Sequence, residues 1–304
     1  MRTAEEISLA DGRLAGLAWG EVGAPTWLAL HGWLDNAASF SRLAPRLADA
    51  LGIRLVAIDF AGHGLSRCHP AGVYYAIWDY THDVLDALAS LGLERATLLG
   101  HSMGAGVACL VAAAMPERVA RLVLIDGLGT LTTPSEDSAA QLRKGLIAQR
   151  RRISPSPRYA DIESAIAARV GGGVTPIDAA TAEPLVTRNV ARDAEGGWRL
   201  RTDGRLLRPS LVRFCPEQAL AILGAIQAPS LLVEGEQGIL GGHGFAHRAR
   251  QALVTLERRV LPGGHHLHLE PDAVAAVAAA IGEYVAESAG SAEGVTAMQG
   301  VQDK

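Results

Sequence analysis

Three residue types that together perform acyl transfer stand at separated points of this 304-residue chain: a serine at 102, an aspartate at 126 and a histidine at 265. The serine lies in Gly100-His101-Ser102-Met103-Gly104, where the apolar run Ala96-Thr97-Leu98-Leu99 gives way to small residues, Ala105-Gly106-Val107-Ala108, able to open a helix. Gly-x-Ser-x-Gly at a strand-to-helix turn is the spacing of a nucleophile elbow. The sharp turn holds the serine in a strained conformation and lifts its Oγ clear of the sheet edge, while flanking glycines let the backbone pass without a Cβ clash. The same turn aims the Met103 N–H and the positive end of the following helix at the point where an oxyanion forms. Phosphate also binds at glycine-rich strand-to-helix junctions. Glycines at 100, 104 and 106 do not spell Gly-x-Gly-x-x-Gly, however, and no Gly-Lys-Ser/Thr follows. In a chain with 34 glycines the pattern also arises by chance, so its weight depends on whether partners are present.

A serine hydroxyl needs a base within hydrogen-bond reach and an acid to orient that base. His265 comes first off the turn Pro262-Gly263-Gly264 and precedes a helix starting near Pro271, so the loop can bend it back over Ser102; His266 and His268 compete for the role. Read as a metal cluster, His265-His266-Leu267-His268 lacks a Cys or carboxylate partner at suggestive spacing. His243 and His247 are four apart on a predicted helix but lack the Glu of His-Glu-x-x-His, and read as surface residues. Candidate acids are Asp126, Glu234 and Glu236. Asp126 is preferred: it ends Leu122-Val123-Leu124-Ile125 and is followed by Gly127, so its carboxylate emerges one strand beyond the nucleophile. The loop His31-Gly32-Trp33-Leu34 supplies a second oxyanion donor in the backbone N–H of Trp33, beside that of Met103. Trp33, Trp78, Trp198 and Phe214 are candidates to line an apolar cavity.

The elements that must position these residues read as an α/β domain. Asp11-Gly12 between Glu5–Leu9 and Arg13–Trp19 signals a hairpin. Short apolar runs follow at Thr26–Leu30, Leu55–Asp59, Ala96–Leu99, Arg121–Ile125, Ser230–Val233 and Arg259–Leu261. Helical patterns at Ser39–Leu51, Asp79–Leu91, Met103–Met115, His243–Leu253 and Asp272–Val285 separate most of them. This alternation predicts a mostly parallel sheet covered by helices on both faces, with ligands at the carboxyl ends of the strands. About a hundred residues between Ile125 and Ser230 are too many for a simple connection. Broken by Pro134, Pro155, Pro157, Gly171-Gly172-Gly173 and Pro184, they are expected to fold as a small helical cap. The resulting division is core over 1–127, cap over 128–226, core over 227–287 and a disordered tail over 288–304, rich in Gly, Ser, Ala and Gln.

Composition narrows the function classes. With 49% apolar and 20% charged residues the chain reads as a globular protein, and a net charge of −4 offers no electrostatic case for nucleic acid. The basic stretch Arg143 to Arg152 reads as a solvated helix face. Three scattered cysteines, Cys68, Cys109 and Cys215, argue against a disulfide framework and suit a reducing compartment. Neither a leader-like start nor a bilayer-length apolar run is present, so a cytoplasmic location is expected, without membrane partners.

Four blocks in order, His31-Gly32-Trp33-Leu34-Asp35-Asn36, Asp59-Phe60-Ala61-Gly62-His63-Gly64-Leu65-Ser66, the elbow, and Gly264-His265 with Glu270 after it, resemble the α/β-hydrolase superfamily. More narrowly they resemble the serine hydrolase-like subgroup, whose members carry His-Gly-Trp-Leu-Asp-Asn and an analogous Pro-Gly-x-His ending. The likeness runs from about Ile7 to Ala286. It implies the α/β-hydrolase fold and an intracellular serine hydrolase that cleaves carboxylic esters, thioesters or lactones through a Ser102–His265–Asp126 triad. A small-molecule acyl substrate is implied, and neither metal nor organic cofactor. Many superfamily members place the acid in a Gly-x-x-Asp pattern, where this chain has Gly235-Glu236-Gln237-Gly238; others place it one strand earlier, which corresponds to Asp126 and leaves Glu236 as understudy. Serine at 102 argues against the branches that use an aspartate nucleophile. Carbon–carbon bond hydrolysis, perhydrolysis and a non-catalytic binding role remain the alternatives.

Overall fold

The computed structural model describes residues 3–172, 175–241 and 244–299, with side chains as far as 288. The chain opens with β1 (Glu5–Leu9) and β2 (Leu14–Trp19), an antiparallel pair closed by Leu9 opposite Leu14. Three consecutive residues of the turn, Ala10, Asp11 and Gly12, have positive φ, so the turn is a four-residue loop wider than Asp11-Gly12 alone predicts. Then come β3 (Thr26–Leu30), α1 (Leu43–Leu51), β4 (Arg54–Ile58), α2 (Tyr80–Ser90), β5 (Ala96–His101), α3 (Met103–Ala114) and β6 (Val119–Ile125).

After β6 the chain leaves the sheet. It forms α4 (Ser138–Gln149), β7 (Arg158–Tyr159), α5 (Ile162–Gly172), α6 (Ala179–Asn189), β8 (Val190–Arg192), β9 (Trp198–Leu200) and α7 (Pro216–Gly224). It returns as β10 (Ser230–Gln237), α8 (Gly244–Ala252), β11 (Leu256–Gly264) and α9 (Val274–Gln299). The expected disordered tail, 288–304, falls almost wholly on residues whose side chains, and from 300 the backbone, lie outside the described residues, as does His243.

Eight strands form one sheet in the order β1-β2-β4-β3-β5-β6-β10-β11, parallel from β4 to β11. Alternate residues of each central strand feed opposite faces, as a period of two demands. Leu28, Leu98, Leu122 and Leu232 enter the core shared with α2 and α3, while Ala29, Leu99, Val123, Leu231 and Val233 enter the core under α1 and α9. The strands are therefore apolar along their whole length rather than alternating, which is what made them readable as runs.

The excursion between β6 and β10 is helical, as its length and polarity suggest, but β7, β9 and β8 also pair into a three-stranded antiparallel sheet that the sequence did not announce. Strands of two or three residues are too short to carry a period. Ala165, Val186 and Val190 form a small core of their own, against which Trp198 packs. The last helix of the excursion, α7, instead joins the main core through Leu223.

Chain order reverses at β3. From β3 the chain steps out to β4, then crosses back to β5 on the other side. Crevices of parallel sheets open at such a switch, outside the carboxyl ends of the strands. The loops after β3, β5, β6 and β11 carry Trp33, Ser102, Asp126 and His265.

Candidate active site

Ser102 separates β5 from α3 with φ 51° and ψ −114°, a conformation that a non-glycine residue adopts only when its surroundings enforce it. Enforcement comes from both sides. The Ser102 N–H donates to the Ile125 carbonyl at 3.0 Å, and a Cβ on Gly104 would collide with the Leu30 carbonyl, so the elbow packs backbone to backbone on its neighbours. Ser102 and Met103 are partly exposed while His101 before them and Gly104 after them are buried. Met103 begins α3, whose first N–H groups have no intrahelical acceptor.

Asp126 is the mirror of the elbow one strand over. His101 pairs with Ile125 across β5 and β6, so Ser102 and Asp126 are the next positions on adjacent strands, and Asp126 also has positive φ, 39°. Asp tolerates this region better than most side chains. Its fully buried carboxylate accepts the His265 Nδ1–H at 2.6 Å and the Ile239 N–H at 2.8 Å, with the Gly235 N–H at 3.4 Å. A carboxylate can only accept, so Nδ1 carries the proton and His265 Nε2 is left with its lone pair.

The glycine in the late acid slot now has a physical account. A Cβ at Gly238 would fall on the Asp126 carboxylate, which occupies the volume where a side chain at 238 would begin. The two rival glutamates lie elsewhere. Glu234 is buried in a four-bond clamp with Arg250 (2.7 Å) and Arg258 (3.0 Å), and Glu236 is exposed on β10. The rival imidazoles are likewise engaged, His266 Nε2 with Asp35 Oδ2 at 3.1 Å and His268 Nε2 with Ser39 Oγ at 2.8 Å. His265 is thus the histidine of the cluster that meets Asp126. Glu270 accepts the Gly264 N–H at 3.0 Å and so fixes the turn from which His265 springs.

Of the oxyanion candidates, Met103 sits as expected at the start of α3, and Trp33 follows β3 in a loop strained at Leu34 (φ 64°). The Trp33 ring, 40% exposed, reaches into the excursion and donates Nε1–H to the Leu206 carbonyl at 3.2 Å. Trp78 and Phe214 meet edge to face at 5.6 Å. Trp198 departs from the cavity expected for it and stacks under Arg192 in the excursion's own core.

No motif in the sequence marks a role for Asp35 or His101. Together with His266 and His268 they form a buried group in which the His101 ring lies 4.6, 5.0 and 4.2 Å from those of His265, His266 and His268. His101 Nε2–H donates to the His265 carbonyl at 2.9 Å. Burial pushes His101 down to about 4 and His268 well below the usual range. Burial would raise the Asp35 carboxyl, but His266 beside it holds it well below its ordinary value. The Asp59 block is also structural: its buried carboxylate accepts the Ala37 N–H at 2.7 Å and the Leu65 N–H at 2.8 Å. No motif marks such contacts, because they join residues far apart in sequence.

A family profile described as the alpha/beta hydrolase fold matches residues 25–155. A serine hydrolase-like protein of Dictyostelium discoideum is 34% identical over 289 residues, 88% of this chain and 78% of that protein. Among solved structures, a hypothetical protein of Pseudomonas aeruginosa PAO1 is 44% identical with a TM-score of 0.84, covering 93% of this chain and 99% of its own. The thioesterase domain from the curacin biosynthetic pathway is 27% identical with a TM-score of 0.78, covering 92% and 99%.

Proposed function

Since this chain belongs to the α/β-hydrolase superfamily, among the serine hydrolase-like proteins, we propose that it hydrolyses carboxylic esters, thioesters or lactones through an acyl-enzyme on Ser102. The observation that carries the reading is the 2.6 Å hydrogen bond from His265 to a buried Asp126, one strand from a serine held at φ 51°. A solvated surface pair would have no reason to strain two adjacent strand ends.

In this reading Ser102 Oγ attacks the acyl carbon as its proton passes to His265 Nε2. Asp126 holds the ring in the Nδ1–H tautomer and stabilises the imidazolium that forms. The N–H groups of Met103 and Trp33 receive the oxyanion, each such donor contributing about 3 kcal/mol in the transition state. His265 then protonates the leaving alcohol or thiol. In the second half it takes a proton from water, which cleaves the acyl-enzyme and restores Ser102. The 27% identity to a thioesterase domain supports including thioesters in the substrate class.

A fluorophosphonate probe and a short p-nitrophenyl ester test the reading together. We expect labelling and turnover in the wild type and the loss of both in Ser102→Ala and in His265→Ala. Labelling that persists in Ser102→Ala would place the nucleophile elsewhere.

A further inference from the structure

Beside the loop of His265 lies a group of donors that hydrolysis does not use. Asp35 Oδ2, His101 Nδ1 and His266 Nε2 all lie within 4.8 Å of one another, with Asp35 3.1 Å from His266 and 3.6 Å from His101. The three residues are 3%, 0% and 3% exposed. We propose that they form a site for a transition-metal ion of the zinc class, and that an ion there slows hydrolysis.

Nε2 of His101 faces the His265 carbonyl, which can only accept, so in the neutral ring the proton sits on Nε2 and Nδ1 presents a bare lone pair. That lone pair is buried, has no hydrogen-bond partner among the described residues, and lies 3.6 Å from an oxygen of Asp35. Acceptor thus faces acceptor in a dry place, an arrangement that asks for a cation between them. A histidine that donates one ring N–H to a backbone carbonyl while its other nitrogen faces a metal is also the usual orientation of metal-bound imidazole.

The spacing fits. A tetrahedral zinc ion with nitrogen and oxygen donors at about 2.0–2.2 Å holds them roughly 3.4 Å apart. The pairs at 3.1 and 3.6 Å straddle that value, and the third lies within 4.8 Å. Loading needs His266 in its Nδ1–H tautomer, exchanging its hydrogen bond to Asp35 for a coordinate bond. Three protein donors leave a fourth position open.

The effect on rate rests on the reading of His265 as the base. His265 must become an imidazolium in the transition state, and its ring lies 4.6 Å from that of His101 and 5.1 Å from that of His266. A divalent charge held by those two rings opposes a second positive charge beside them.

Zinc chloride is titrated calorimetrically into the wild type, Ser102→Ala, His265→Ala, His266→Gln and Asp35→Asn, each checked for native circular dichroism. One equivalent should bind the wild type, Ser102→Ala and His265→Ala. Affinity should fall in His266→Gln and Asp35→Asn by more than the ten- to a hundredfold that loss of an outer partner typically costs. Cobalt(II) added to the wild type should give the visible bands of a low-coordinate site, a readout that needs no variant to fold. Absence of uptake and of those bands in the wild type overturns the site. So does binding that His265→Ala abolishes and His266→Gln leaves intact, since the ion would then sit on the triad. Zinc should slow wild-type ester hydrolysis and lose that effect in His266→Gln. Stoichiometric binding to a protein that hydrolyses nothing would instead count against the catalytic reading while leaving the metal site standing.

Discussion

Burial of imidazoles, His101 beside His265 and His63 beside His31, has a consequence for stability as well as for chemistry. His101 is pushed down to about 4 and His63 to about 3, in both cases chiefly by burial, from an ordinary value of 6.5. The folded protein therefore keeps these rings neutral at pH values where the unfolded chain already takes up protons. Their contribution is complete above about 6.5 and is lost as pH falls toward about 4 for His101 and about 3 for His63, since the unfolded state binds more protons across those windows. Asp35, held well below its ordinary 3.8, loses its share only at lower pH still. We expect the thermal midpoint to decline from about pH 6.5 downward in melts followed by circular dichroism, and the decline to be shallower in His101→Gln. A midpoint flat to pH 4 would mean that the cluster is hydrated or already paired.

Two strand ends, those of β6 and β10, share one volume, and this decides where the acid can reside. Asp126 fills the space that a side chain at Gly238 would need. Asp126→Asn, which donates where a carboxylate accepts and so favours the wrong tautomer of His265, should lower kcat by about 10⁴, the loss seen for the equivalent change in a serine protease triad. Glu236→Gln, on an exposed residue, should leave kcat unchanged. The sharper test moves the acid. Asp126→Gly empties the volume and tolerates the positive φ, and adding Gly238→Asp refills it from β10. The double variant should turn over a p-nitrophenyl ester at least about tenfold faster than Asp126→Gly, within the range that a positioned acid–base partner supplies. No rescue would mean that the β10 end cannot aim a carboxylate at His265 Nδ1.

The long excursion is tied to the sheet by a few strong contacts, and their failure should be felt by the whole molecule. Arg188 of α6 reaches the fully buried Asp59 at 2.9 to 3.1 Å through three contacts, Asn36 Nδ2–H donates to the Leu185 carbonyl at 2.8 Å, and Asp203 N–H donates to the Gly62 carbonyl at 2.9 Å. Removing one member of a buried ion pair leaves the other charge unpaired, at a cost of about 3–5 kcal/mol. Asp59 keeps two backbone donors, so Arg188→Ala should cost about 3 kcal/mol, near the lower end, in urea unfolding. A loss under about 1 kcal/mol would show that the excursion docks without it. Among the described residues no helix is long and apolar enough to cross a membrane.

The sheet was legible because its strands are buried on both faces and so write themselves as apolar runs, and the elbow because its glycines and serine are contiguous. Asp126 and His265 were legible as strand-end residues at the right stations along the chain. Their hydrogen bond was not, for it joins positions 139 apart. The three-stranded sheet of the excursion stayed hidden because its strands are too short to carry a period. Asp35 meeting His101 and His266, and Gly238 yielding its volume to Asp126, stayed hidden because a linear pattern records which residues exist but not which buried space each must share. Local order and strand ends follow from the sequence by itself. The partner of each buried polar group is decided only when distant loops are packed against one sheet edge, where each acceptor must find a donor.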